Sequence, residues 1–215
     1  MKQTLFITGT DTGVGKTVLT ALLVKFLRGR GVNAAALKPI CSGGRSDARK
    51  LFAVMDRALE VQGPKSKIQS LELSLDEINP WHFRAAIAPL LAARRENKTV
   101  KLSQVVARVR AMQRRFDVLL IEGAGGLLSP LGKNFNSRDL IVALRAMPII
   151  VAQNKLGAVN QVLLALEALP KNLRAKAHVV LASPQRPDAS TKTNAGLLAE
   201  FFDAERIFLL PRLNK

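Results

Sequence analysis

The sequence predicts an α/β fold: one three-layer domain with a mostly parallel central sheet flanked by helices. Three observations carry this reading. Six short β-branched or aliphatic runs alternate with six stretches of helical period, the order that builds a parallel sheet. Most strand ends are followed at once by a polar or glycine cluster, where open α/β sheets bind their ligands. A hydrophobic content of 48% over 215 residues suffices for one compact core but not for a second independent unit, so residues 1–215 are read as a single domain.

The elements follow in order. Apolar "TLFIT" marks a strand at Gln3 to Thr8, and after a glycine-rich turn the spacing of Val18, Leu22, Leu23 and Phe26 marks a helix from Lys16 to Arg28. A second strand runs from Val32 to Lys38 and is blocked by Pro39; a helix is read from Asp47 to Ala58. Val61 to Leu71, with Gly63, Pro64 and a Lys-Ser-Lys run, reads as a mobile loop. Helix Leu102 to Arg114 leads into strand Asp117 to Glu122. Then follow helix Ser137 to Ala146, strand Ile149 to Gln153, helix Ala158 to Ala168, strand Ala177 to Ala182, helix Thr193 to Phe202 and strand Arg206 to Leu210.

The chain carries 33 Lys and Arg against 16 Asp and Glu, a formal charge of +17, which brings nucleic acid, anionic lipid and small anions into consideration. The basic residues lie along helical stretches such as "RVRAMQRR" (108 to 115), without interleaved aromatics to stack bases. We therefore expect a solvated basic surface whose field favours nucleotide, with neither nucleic acid nor membrane as partner. The N-terminus lacks the pattern of a signal peptide, and no apolar run approaches the roughly 20 residues that cross a bilayer. A single cysteine, Cys41, can form no internal disulfide and suits a reducing cytoplasm. It reads as a small core filler, and His82 and His178, with no acid or Cys at metal-ligand spacing, read as structural or surface residues.

Chemistry enters at "FITGTDTGVGKT", residues 6 to 17. Strand, glycine turn and helix follow one another as a phosphate loop requires, giving a P-loop NTPase fold. Gly13 and Gly15 let consecutive N–H groups, with that of Val14, turn inward on an anion; the helix N-terminus adds its dipole. Lys16 reaches the outer phosphates, and Thr17 offers its hydroxyl to Mg²⁺. The loop has five residues, Thr10 to Val14, between Gly9 and Gly15, one more than the common form.

Lys38, at the end of an apolar strand beside this loop, is read as an anion contact, and Ser42 on the glycine-rich segment after it as a second donor. Glu122 terminates the run Val118 to Ile121 as an acid presented to a metal, with glycines at 123, 125 and 126 leaving room for a ligand. Asp47, in "SDA", reads either as a helix N-cap or as a further metal ligand.

"GTDTGVGKT" resembles the lengthened phosphate loop of the dethiobiotin synthetases. Three further stretches agree in order and spacing: "KPICSGG" (38 to 44), "LLIEGAGGLLSPL" (119 to 131) and "NKLGAVNQ" (154 to 161). The resemblance implies a reaction joining ATP, CO2 (from bicarbonate) and 7,8-diaminononanoate into a cyclic urea, through a carbamate and a carbamic-phosphoric anhydride. It assigns charge stabilisation to Lys16 and Lys38, carbamate binding to Thr12 and Ser42, and Mg²⁺ to Thr17, Asp47 and Glu122. It also implies a homodimer with shared active sites, in which Gly157, Ala158, Val159 and Asn160 of one subunit hold the substrate carboxylate of the other. Pro211 resembles a proline of the family that packs near the nucleotide base. Departures gather in the second half: "VVLASPQRP" lacks the Asn that reads adenine, and Leu90 and Gln161 stand where His is common. A partition-type ATPase binding DNA or membrane is the alternative; such proteins carry a Lys at the position that is Asp11 in this chain.

Overall fold

In the computed structural model, residues 2–60 and 73–212 are described; the loop read at Val61 to Leu71 lies outside them. The chain runs β1 (Gln3–Gly9), α1 (Lys16–Gly29), β2 (Ala34–Leu37), β3 (Ile40–Ser42), α2 (Ser46–Glu60), α3 (Leu75–Ile78), β4 (Trp81–Phe83), α4 (Pro89–Arg95) and α5 (Leu102–Gln113). It continues β5 (Val118–Glu122), β6 (Pro130–Gly132), β7 (Phe135–Asn136), α6 (Ser137–Leu144), β8 (Met147–Gln153), α7 (Ala158–Glu167), α8 (Lys171–Arg174) and β9 (His178–Ala182). A 3₁₀ turn (Ala189–Lys192), α9 (Asn194–Ala199) and β10 (Ile207–Leu210) complete it.

Six strands form one parallel sheet in the order β10-β9-β8-β1-β5-β2. β1 is central because both of its faces are apolar: Phe6 and Ile7 are fully buried, and each such side chain contributes roughly 1.5–3 kcal/mol relative to exposure. Its partners β5 and β8 are equally dry at Leu119 to Ile121 and Ile150 to Ala152, the near-continuous apolar pattern of strands covered on both faces. From β1 the chain crosses to β2 on one side and later returns to β8 on the other. The crevice beyond the carboxyl ends of β1, β5 and β8 is therefore a topological switch point.

Two readings are corrected. The second strand covers Ala34–Leu37 rather than Val32 to Lys38. The Lys38 N–H leaves the sheet for the Ile78 carbonyl at 3.0 Å, and Pro39, which has no N–H, starts a turn onto the small parallel pair β3–β4. The helix read at Thr193 to Phe202 is only α9, Asn194–Ala199, preceded by the 3₁₀ turn. Elements β3, α3, β4, α4, α8 and the β6–β7 hairpin were not anticipated, so Ser42, read on a glycine-rich segment, ends a short strand; each is four residues or fewer except α4, too short for a period to register.

Candidate active site

The phosphate loop is held from below by the Thr10 N–H, which donates to the Val151 carbonyl at 2.9 Å and ties the turn to β8. Gly15 caps α1 with φ 107°, in the left-handed region, and a Cβ there would lie 3.3 Å from Ala182 Cβ. Val14 is buried beneath the loop, while Thr12 and Gly13 face the solvent. The Lys16 side chain is buried and folds back so that Nζ donates to the Asp11 carbonyl at 2.6 Å. Burial first, and then the neighbouring Lys38 charge, lower its pKa to about 8.

Lys38 and Glu122, both buried, form the centre of the site. The ammonium donates to Glu122 Oε1 at 2.5 Å and to the Gly123 carbonyl at 3.1 Å, and lies 3.3 Å from Asp47 Oδ2, so each of its hydrogens has an acceptor. Burial opposes the charged form, but the two carboxylates outweigh it and raise the pKa. Thr17 Oγ1 donates to the same Glu122 oxygen at 2.8 Å. The second oxygen, Glu122 Oε2, is buried and accepts no hydrogen bond among the described residues. Spare capacity on one buried acid, an adjacent alcohol and half-buried Asp47 in the first turn of α2 together fit Mg²⁺, which takes one or two carboxylates plus phosphate oxygens and water. Among the described residues no group of three His, Cys, Asp or Glu could hold a metal unaided, so the donor set suits an ion arriving with its nucleotide.

These residues line one cleft of about 660 Å³. Thr12, Gly13, Gly15 and Thr17 form one wall, Ser42 and Asp47 another, and the segment Ala86–Pro89 closes the far side. The family resemblance pointed to Leu90, next to this segment, as a pocket position, and it is the four residues before it that line the cleft. Sequence reasoning missed Asn79 and Arg45, which brace the Lys38-to-Gly44 turn. Buried Asn79 donates to the Lys38 carbonyl at 2.6 Å and accepts from Arg45 Nε at 3.2 Å. Nothing local to "INPW" signals this role. Cys41 lines the cleft as a protonated donor to the Gly44 carbonyl, its pKa raised chiefly by burial.

Residues 157–160 stand apart. Gly157 (φ 87°) caps α7; Ala158 N–H is taken by the Lys155 carbonyl and Gln161 N–H by that of Gly157, leaving the N–H groups of Val159 and Asn160 at the helix mouth. They do not line the cleft, and neither does Pro211, which is exposed just after β10. Leu90 is half-buried in α4 behind Pro89, and Gln161 is exposed on α7.

Residues 3–215 match the family described as "AAA domain". The chain is 39% identical over 212 residues to the ATP-dependent dethiobiotin synthetase BioD of Anaeromyxobacter dehalogenans, covering 96% of this chain and 89% of that one. To the protein of the same name from Akkermansia muciniphila it is 36% identical, covering 94% and 89%, and to that from Thermodesulfovibrio yellowstonii 33%, covering 100% and 91%. The chain belongs to the dethiobiotin synthetase family. Its fold is shared more widely: a ParA family ATPase from Chlorobium tepidum superposes with a TM-score of 0.60 at 11% identity, covering 100% of this chain and 86% of that one. The pNOB8 ParA bound to nonspecific DNA superposes at 0.59 and 13%, with the same coverage. At that identity the likeness is one of architecture. Three of the four stretches that carry the family resemblance, within 9–17, 38–44 and 119–131, contribute residues to the cleft, and the fourth, 154–161, does not.

Proposed function

We propose that this protein is an ATP-dependent cyclo-ligase that converts 7,8-diaminononanoate, CO2 and ATP into dethiobiotin, ADP and phosphate. The observation that carries this is the junction of Lys38, Glu122 and Thr17 at the foot of a phosphate loop, inside a cleft with room for a second substrate.

One amine of the substrate adds to CO2 and loses a proton, giving a carbamate. A carbamate oxygen then attacks the γ-phosphorus of ATP and expels ADP. The second amine attacks the resulting carbonyl carbon, loses its proton and expels phosphate, closing the five-membered ring. Negative charge gathers on the carbamate and the transferring phosphoryl group, so catalysis rests on positioned cations and donors. Lys16 and Lys38 supply the positive charge, Thr12 and Ser42 donate to the carbamate, and the N–H groups of Gly13, Val14 and Gly15 hold the phosphates. Thr17, Asp47 and Glu122 would hold Mg²⁺, which when bound neutralises triphosphate charge.

The α7 mouth at Gly157, Ala158, Val159 and Asn160 suits a carboxylate, and because it does not line its own chain's cleft, a second copy of the chain in a homodimer would bring it to the substrate. The stretch after β9, which ends at Ala182, has no Asn side chain to read a base, so in this reading selection among nucleotides rests on weaker contacts. No helix among the described residues is long and apolar enough to cross a membrane, and a cytoplasmic setting suits the substrates.

The test is phosphate release by the purified protein with Mg²⁺ATP, bicarbonate and diamine, each omitted in turn, with product followed by mass spectrometry. Release and dethiobiotin that both require diamine and bicarbonate support the reading. Release that ignores the diamine and rises with DNA or anionic vesicles overturns it in favour of a partition-type ATPase.

A further inference from the structure

A second concavity, about 450 Å³, opens at the end of the sheet remote from the phosphate loop, where β1 and β5 begin and where α5 and α6 end. Its rim carries Lys2, Arg110, Arg114 and Arg145, and no Asp or Glu lines it. Among the described residues none of the four has a carboxylate partner. Two are pinned in place by helix-end carbonyls: Lys2 Nζ donates to the Arg114 carbonyl at 2.5 Å, and an Arg110 guanidinium nitrogen to the Ala143 carbonyl at 3.2 Å. Between them Gln113 Nε2 donates to Thr4 Oγ1 at 2.8 Å, fixing a polar bridge across the pocket. Its floor is apolar, with Phe116 and Leu144 buried.

Cations near helix C-termini complement the dipole, which accounts for one residue at the end of each helix. It does not account for four around one hollow that no Asp or Glu lines. Lys2 and Arg110, already held in position, lose little freedom when an anion arrives, and each contact to phosphate is a charge-assisted hydrogen bond.

We infer that this pocket is a second anion site, separate from the phosphate loop, that takes a phosphate-bearing small molecule with at least two negative charges. The inference does not depend on the proposed reaction.

The experiment is isothermal titration of the full chain with inorganic pyrophosphate, without divalent metal and at fixed ionic strength. The unaltered protein is expected to bind two pyrophosphates. An Arg110→Glu/Arg145→Glu variant is expected to lose one of them, its affinity weakened by about tenfold or more, while the other is unchanged. Lys16→Ala is expected to weaken the complementary one. If the charge-reversed protein fails to melt cooperatively, Arg110→Gln/Arg145→Gln replaces it, with the same expectation. A single pyrophosphate on the unaltered protein, or two undiminished on the pocket variant, would each overturn the inference.

Discussion

The Lys38 ammonium lies 2.5 Å from Glu122 Oε1, and neither side chain exposes more than 4% of its surface. Two charged groups removed from water in this way depend on each other, and loss of the lysine leaves the Glu122 carboxylate buried without its ion-pair partner. Lys38→Ala should destabilise the protein by roughly 3–5 kcal/mol, which lowers the melting temperature by about 10 °C for a chain of this size. It should also slow phosphate release at least ~100-fold. Lys38→Ala/Glu122→Gln, with the charge removed on both sides, should recover much of the melting temperature and none of the activity; recovery of neither would mean the pair is not the unit we describe.

Lys16 makes a pH prediction. Its pKa is lowered to about 8 from 10.5, so between those values the unfolded chain binds more protons than the folded one, and apo-protein stability should rise with pH across that window. A triphosphate beside Lys16 restores its charge, so nucleotide binding at pH 8 should take up protons. Titration calorimetry in buffers of different ionisation enthalpy reads that uptake directly, and an uptake that survives in Lys16→Met would assign it elsewhere. The Lys38 shift has the opposite sign: its raised pKa gives stability that is complete below 10.5 and lost only as pH climbs through the folded value.

Gly15→Ala should fold and bind nucleotide poorly. The residue sits at φ 107°, where a side chain costs roughly 1–2 kcal/mol, and its Cβ would press on Ala182 at 3.3 Å. We expect a melting temperature lower by a few degrees and a Kd for ATP raised more than about tenfold; equal affinity would show that the loop relaxes without loss.

Thr17→Val keeps the shape of the side chain and removes the hydroxyl that meets Glu122. The Mg²⁺ concentration giving half-maximal nucleotide binding should rise about tenfold, as for one lost oxygen ligand. Chelation with EDTA should abolish phosphate release in the unaltered protein, with full return on adding Mg²⁺.

Shared active sites can be tested by mixing. Val159→Pro removes an N–H at the mouth of α7 in its first turn, where proline is tolerated, and Lys38→Ala disables the cleft. Each alone should be inactive. Refolded together in equal amounts they should recover about a quarter of normal activity if subunits complete each other's sites in a two-fold dimer. No recovery would mean that the α7 mouth does not serve a neighbour's cleft.

Much of the site was legible because phosphate chemistry imposes residue order over short stretches. "GVGKT" needs its glycines, Lys16 and Thr17 at fixed offsets, and Glu122 announced itself as an acid ending an apolar strand. Asn79 and Arg45 were not legible, because their partners are 41 and 34 residues away in sequence and nothing nearby requires them. The strand at Val32 to Lys38 was overextended for a related reason. Apolar pattern continues to the lysine, but its N–H is claimed by the Ile78 carbonyl at the end of α3, 40 residues on.

The sequence by itself determined the alternating α/β order, the phosphate loop, the family and several of the residues that line the cleft. All of these depend on periodicity or on spacing within a few residues. Only the tertiary structure decided that Lys38 sits between Glu122 and Asp47, that Ala86–Pro89 closes the cleft, and that four cations ring a second pocket at the opposite end of the sheet. Such relationships depend on which strands become neighbours. That order, β10-β9-β8-β1-β5-β2, is set by the packing of whole apolar faces and not by any local signal.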